Sequence, residues 1–145
     1  MFKVDLYDFQ NEHEENLLKK CAEHEEIVLS APTGSGKTVM TCKFIDDYLD
    51  ENPNTVFLWL CPGAGGLEKQ SRDSFSDVTE GIPFGDIYSF INDYEVNGKV
   101  FFVNWDKINR NSNVALKDGE KKNLMAKVLE CHRKNIDIFT STSSI

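Results

Sequence analysis

Apolar and polar positions along this chain change period so that helix-like and strand-like stretches alternate. From Asn11 to about His24, Leu17, Leu18 and Cys21 fall at i, i+1 and i+4 among charged neighbours, the spacing of an amphipathic helix. Ile27-Val28-Leu29 is a short apolar run closed by Ser30-Ala31-Pro32 and a glycine-rich turn, which predicts a strand followed by a loop. Helical spacing resumes from Lys37 to Leu49 through Met40, Phe44, Ile45 and Tyr48, and Asn52-Pro53-Asn54 breaks it. Thr55 to Cys61 is apolar almost throughout, as in a strand covered on both faces. After the loop Pro62 to Gly66, the pattern predicts a helix from Leu67 to Phe75 and strands from Asp86 to Ile91 and Lys99 to Asn104. A helix then runs from Gly119 to Lys134 with Leu124, Val128 and Cys131 on one stripe, and Ile136 to Phe139 begins another strand. Strands alternating with helices predict an α/β fold with a mainly parallel sheet. No repeat or linker interrupts the pattern, so residues 1–145 are expected to form one domain, and a length of 145 residues agrees.

Composition narrows the classes. Ten Phe, four Tyr and two Trp are enough to build a core, which excludes a disordered polar tract. Val56 to Cys61 is the longest apolar run and is far short of the roughly 20 residues that cross a bilayer. The N-terminus turns acidic at Asp5 and lacks the basic and then apolar layout of a secretory signal, so a cytoplasmic chain without membrane association is expected. Cys21, Cys42, Cys61 and Cys131 form no CxxC pair, and His13, His24 and His132 lie at no metal-ligand spacing, which predicts reduced packing thiols. The net charge is −8, and the acidic excess lies before about residue 80. Bulk attraction to nucleic acid is thereby excluded, since it needs clustered Lys and Arg, and any such contact must be local. Lys121, Lys122, Lys127, Arg133 and Lys134 fit the solvated face of a helix as well as they fit a basic patch.

Ala31-Pro32-Thr33-Gly34-Ser35-Gly36-Lys37-Thr38 stands between the first predicted strand and its helix. Glycines there let successive N–H groups turn inward onto phosphate oxygens, and the helix N-terminus adds partial positive charge. Lys37 then reaches the β and γ phosphates and Thr38 ligates Mg²⁺. Thr33, Gly34, Ser35, Gly36, Lys37 and Thr38 are therefore the phosphate-binding candidates, with a plain glycine-rich turn as the bland alternative. The first position is Ala31, where the strict pattern has Gly.

Ser30 to Thr38 resembles motif I of superfamily 2 helicases and translocases, and Tyr7-Asp8-Phe9-Gln10 resembles their Q motif. Phe57 to Gly63 with Gly66 to Ser71 is similar to motif Ia, and Val100 to Asn109 is similar to the strand and loop before motif II in the Res subunits of type III restriction-modification systems. The resemblance runs from about residue 5 to about 138. It implies a P-loop NTPase with a RecA-like sheet, ATP and Mg²⁺ as cofactors, DNA as partner and the modification methyltransferase as a partner subunit. It also implies that Gln10 reads the adenine edge, an amide supplying the donor and acceptor that adenine requires, with Tyr7 and Phe9 packing near the base. The other reading of Gln10 is a capping residue of the first helix. Pro62, Gly63, Gln70 and Arg72 occupy the DNA-backbone positions of motif Ia, with Lys69 beside them. Trp105 is either a core residue or a stacking platform for a base.

Hydrolysis in such motors needs an Asp for the Mg²⁺ shell and a Glu that orients water, both after a hydrophobic strand. Asp50-Glu51 is the only Asp-Glu step and follows the phosphate-loop helix instead. The strand in the right place, from Ile136, continues into Thr140-Ser141-Thr142-Ser143-Ser144-Ile145. The sequence is thus expected to represent the N-terminal part of one motor domain, truncated before motif II, without a second motor or nuclease domain, and inactive alone. In the family's sheet order the Ile27–Leu29 strand would then lack neighbours, and a marginal or self-associating chain is expected. A noncatalytic nucleotide- or partner-binding module, a nonfunctional gene fragment and a small P-loop kinase are the alternatives. A kinase gives no role to Gln10 or to Trp59-Leu60-Cys61-Pro62-Gly63.

Overall fold

A computed structural model describes residues 2–24, 36–62, 66–104 and 118–142. The expected strand Ile27–Leu29, phosphate-loop residues Thr33, Gly34 and Ser35, Gly63 and Trp105 lie outside the described residues. The chain forms two compact units, one of residues 1–52 and 73–81, the other of residues 53–72 and 82–145.

In the first unit, α1 (Asp8–Cys21) packs against α2 (Lys37–Glu51). Helix α1 begins three residues earlier than its apolar spacing predicts. The residues it buries are Gln10 and Glu14, whereas Leu17, Leu18 and Cys21 are half-buried. An apolar periodicity does not register a face whose most buried members are polar. Met40, Cys42, Phe44, Ile45 and Leu49 of α2 are buried. Asn52 ends α2 by donating from its backbone N–H to the Tyr48 carbonyl at 2.8 Å, and Pro53 follows. The N-terminal segment is strapped to the end of α3 (Leu67–Val78). Phe2 forms an antiparallel bridge with Thr79, and Lys3 donates its N–H to the Val78 carbonyl at 2.8 Å.

The second unit carries the sheet. Its strands are β1 (Thr55–Cys61), β2 (Phe84–Asp86), β3 (Val100–Asn104) and β4 (Asp137–Thr142), in the order β2-β3-β1-β4 and parallel at each pairing. The expected parallel sheet is therefore present, and β1 lies inside it, with Phe57 opposite Val100 on one edge and Phe139 on the other. One face of the sheet presents Val56, Leu58, Phe101 and Val103, which pack with Phe90, Val96 and Cys131 into a single apolar cluster. Phe90 and Phe101 place their ring centres 5.3 Å apart. The other face carries an aromatic row, in which Phe57 meets Phe139 at 4.8 Å and Trp59 meets Phe102 at 5.3 Å. Side chains on both faces of β1 are buried, which is why its sequence shows no alternation.

Where a strand was expected from Asp86 to Ile91, the three-residue strand β2 instead ends at Asp86 and helix α4 (Ile87–Asn92) follows. Asp86 causes the switch, since its Oδ1 accepts from the Ser89 N–H at 2.9 Å and caps the helix. Ile87 and Phe90 then fall on the buried side, three residues apart. Helix α5 (Asp118–Arg133) is followed by Asn135, whose left-handed φ of 57° redirects the chain into β4.

Lys127 of α5 corrects the expectation of a solvated basic face, because only 6% of it is exposed. Its ammonium donates to the Asp93 carbonyl and lies 3.5 Å from Glu130, tying α5 to the segment after α4. Lys134 meets the same carboxylate from the open side. Lys127→Ala is expected to lower unfolding stability by about 1–3 kcal/mol, because a part-buried carbonyl loses its donor and the lysine stem its packing. Lys134→Ala should leave the urea midpoint near wild type; equal losses in the two variants would contradict this account.

Candidate functional site

In the first unit, Gly36, the last residue of the expected phosphate loop before Lys37, and the Q-motif-like segment meet. Gly36 is the N-cap of α2 with φ 84° and ψ 34°, a left-handed conformation open to glycine at little cost. Its carbonyl accepts the Met40 N–H at 2.9 Å, the first bond of the helix. The N–H groups of the first turn have no i−4 partner within the helix and point from its N-terminus, where the helix dipole also favours an anion. Lys37 is half-buried and Thr38 is exposed in that first turn.

Gln10 stands directly over Gly36. A Cβ placed on residue 36 would fall 2.3 Å from Gln10 Nε2, so any other residue there, already strained by the positive φ, would also push the Gln10 side chain aside. Gln10 Oε1 accepts from the Tyr7 N–H at 2.9 Å. The capping geometry that the sequence allowed for Gln10 is therefore formed, and it fixes the amide plane beside Gly36. Tyr7 is 72% exposed and Phe9 46% exposed. Their rings are stacked at 6.1 Å with 10° between planes, which leaves an aromatic surface next to Gln10.

Glu14, Lys43 and Asp47 were not singled out by sequence reasoning. Glu14 lies one helical turn after Gln10 on the buried side of α1, only 3% exposed, and its Oε1 has no hydrogen-bond partner. Burial, first, and then the hydrogen bond and negative charge of Asp47 push its carboxyl up to about 8, while Lys43 opposes the shift. Lys43 is bonded to Asp47 at 3.0 Å and sits 5.3 Å above the Phe2 ring. Between the ordinary value near 4.5 and about 8, folded Glu14 keeps a proton that the unfolded chain has released. Its contribution is therefore undiminished below pH 4.5 and is lost as pH rises toward 8. The signal available beforehand was the paired i, i+4 spacing of Gln10 with Glu14 and of Lys43 with Asp47.

In the second unit, Pro62 is exposed at the carboxyl end of β1, the edge of a parallel sheet where ligands bind in open α/β folds. Lys69 and Gln70 are exposed on the first turn and a half of α3, and Arg72 is half-buried. Asn104 is buried at the same end of β3, and β4 ends in Thr140, Ser141 and Thr142. Buried Ser141 Oγ has no hydrogen-bond partner. The four cysteines are free thiols, and burial pushes the Cys42 thiol up to about 12, which makes it inert at neutral pH. Among the described residues, no helix is long and apolar enough to cross a membrane, and no group of three or more His, Cys, Asp or Glu is placed to hold a metal ion.

Among curated protein sequences none matches this chain. The structure is similar to the Sulfolobus solfataricus SWI2/SNF2 ATPase core in complex with dsDNA, with a TM-score of 0.65 at 16% identity. The similarity covers 99% of this chain but 33% of that one, so the chain spans about a third of its relative's length. At that identity the likeness establishes the fold alone, a RecA-like α/β fold. The family described as "Type III restriction enzyme, res subunit" matches residues 3–144. That match, on a chain with a RecA-like fold, makes it a superfamily 2 helicase-like motor domain that belongs to the type III restriction enzyme res subunit family.

Proposed function

We propose that this chain is the ATP-binding part of a DNA-dependent ATPase and translocase of a type III restriction endonuclease. The observation that carries the reading is the apposition of Gln10 and Gly36, since it places an amide and two exposed aromatic rings beside a helix N-terminus suited to phosphate. The fit is supported by Gly36, whose missing Cβ makes room for Gln10 and whose left-handed φ turns the loop into α2. Thr33, Gly34, Ser35, Gly36, Lys37 and Thr38 hold the phosphates, with Thr38 on Mg²⁺, while Gln10 reads adenine and Tyr7 and Phe9 pack against it. An amide oxygen carries two lone pairs, so the Tyr7 bond at Gln10 is compatible with a second bond from the adenine amino group. When bound, ATP supplies the phosphoryl group whose transfer to water drives such motors. Pro62, Gly63, Gln70 and Arg72 touch one DNA strand, with Lys69 close by, and the modification methyltransferase is the partner subunit.

Hydrolysis is a separate matter from binding. The end of β4 carries Thr140, Ser141 and Thr142, hydroxyl side chains without the fixed negative charge that a Mg²⁺ shell and a water-orienting base require. The 145-residue chain is therefore expected to bind Mg-ATP in preference to Mg-GTP and to hydrolyse it negligibly, with Gln10→Ala raising Kd about 5- to 150-fold, equivalent to roughly 1–3 kcal/mol for a lost buried amide bond. Calorimetric titration of wild type, Gln10→Ala and Lys37→Ala tests this, alongside turnover with and without DNA. Equal affinity for ATP and GTP, with Gln10→Ala unchanged, would return Gln10 to a purely capping role. DNA-stimulated turnover above the Lys37→Ala level would overturn the statement on hydrolysis.

A further inference from the structure

Two carboxyl groups, Glu14 and Asp47, face each other where α1 packs on α2. Glu14 is almost wholly buried and one of its oxygens has no partner, a costly arrangement for an ionised carboxylate. The neighbouring charges are unequal in their effect. From α2, Asp47 opposes ionisation and Lys43 favours it, while Lys43 is itself shared with Asp47 and lies in the field of Asp46. From α1 itself, Glu15 adds further negative charge. The N-terminal segment brings the uncharged Phe2 ring against Lys43, and Lys3 is directed to the Ser76 carbonyl instead. The arrangement is satisfied when a single proton is shared, with the Glu14 hydroxyl donating to the Asp47 carboxylate. Without that proton, two negative groups oppose each other in the helix–helix contact.

Gln10 and Glu14 are one turn apart on the same buried face of α1. The Gln10 side chain fills the space that a Cβ on residue 36 would take, so a small lift of α1 from α2 moves its amide away from Gly36. We infer that Glu14 is a positioning residue for nucleotide recognition: its protonated form seats α1 on α2 and holds Gln10 over Gly36, so that nucleotide binding weakens when the Glu14–Asp47 pair loses its proton. The inference rests on the nucleotide-binding role proposed above and adds to it a proton linkage.

Two readouts on the 145-residue protein keep that role and this linkage distinguishable. In the absence of nucleotide, the side-chain amide resonance of Gln10 is followed by NMR from pH 6 to pH 9.5 together with the carboxyl carbon of Glu14. Both are expected to titrate with one midpoint in wild type, and the Gln10 response should vanish in Glu14→Gln, whose amide donates to Asp47 at every pH. In the presence of nucleotide, Mg-ATP affinity of wild type should fall about tenfold between pH 7 and pH 9, because one unit above the midpoint only about a tenth of the molecules keep the proton. Glu14→Gln should lose that fall, and the comparison cancels the ionisation of ATP itself. Should Glu14→Gln fold poorly, Asp47→Asn serves instead, and is expected to move the shared midpoint to lower pH by removing the opposing charge. A Gln10 resonance that ignores Glu14 titration, or an equal loss of affinity in wild type and Glu14→Gln, overturns the inference. Absence of ATP binding at every pH would overturn the nucleotide-binding role, while the NMR titration would still decide whether Glu14 positions Gln10.

Discussion

Gly36→Ala is expected to lower stability and nucleotide affinity together, and for two separable reasons. A left-handed backbone costs an alanine about 1–2 kcal/mol, and the φ of 84° puts Gly36 in that region. The new methyl would also fall 2.3 Å from Gln10 Nε2, so Gln10 must move and release the Tyr7 N–H, at a further cost of about 1 kcal/mol. The combined loss of roughly 2–3 kcal/mol is read by urea unfolding. On the proposed function, Mg-ATP affinity falls at least about tenfold, since every 1.4 kcal/mol is a factor of ten. Two further variants separate the causes. Gly36→Asn tolerates the backbone better than alanine does and keeps the collision. Gln10→Ala combined with Gly36→Ala removes the collision and keeps the backbone strain. The double variant should therefore lose less than the two single losses added, by about 1 kcal/mol. Strict additivity would mean that the contact with the Gln10 side chain adds nothing to the cost of a side chain at position 36.

Phe101→Ala is expected to be the most damaging change in the sheet unit. Phe101 is 1% exposed, lies between Phe90 and the β1 side chains of the same cluster, and belongs to a strand paired on both edges. Truncating a buried Phe costs about 3–5 kcal/mol through lost transfer energy and the cavity left behind. Against the usual total of about 5–15 kcal/mol, that is a third or more of the stability of an ordinary domain. Leu129→Ala is the control, because Leu129 is 57% exposed and a surface change of this kind stays within about 0.5 kcal/mol. Urea transitions followed by circular dichroism should shift for Phe101→Ala with the slope preserved, and stay in place for Leu129→Ala. A Phe101→Ala transition coincident with wild type would mean that the cluster around Phe101 is not the core of this unit.

What could be read in advance and what could not follow a physical division. Thr55–Cys61 and Val100–Asn104 were legible because strands buried on two faces leave long apolar runs, and α2 because its apolar positions recur at helical spacing. The segment after Pro83 was misread because a three-residue strand has too few positions to show a period, and the cap at Asp86 acts through one hydrogen bond. Helix α1 and Lys127 were misjudged for a common reason, which is that Gln10, Glu14 and Lys127 are polar residues in buried positions. Local pattern assigns polar residues to solvent, and only a partner distant in sequence reverses this. The same limit governs the site. Gly36, Lys37 and Thr38 were recognisable as candidates because a phosphate-binding loop is a local backbone device, whereas the fit of Gln10 onto Gly36 and the facing of Glu14 with Asp47 arise from packing between helices.

The place of β1 between β3 and β4 also bears on how the chain is made. β1 pairs with residues some forty positions later in β3 and roughly eighty later in β4, so its second edge is closed only by an element far downstream in the chain. At about 5–20 residues per second, the β4 strand follows β1 out of the ribosome by about 4–16 s. Through that interval Val56, Phe57, Leu58 and Trp59 have no β4 to meet, and the nascent chain holds a two-faced apolar strand with an open edge. Chaperone capture or pairing with a neighbouring nascent chain competes with folding at this stage, and slower translation after residue 61 lengthens the exposure instead of relieving it.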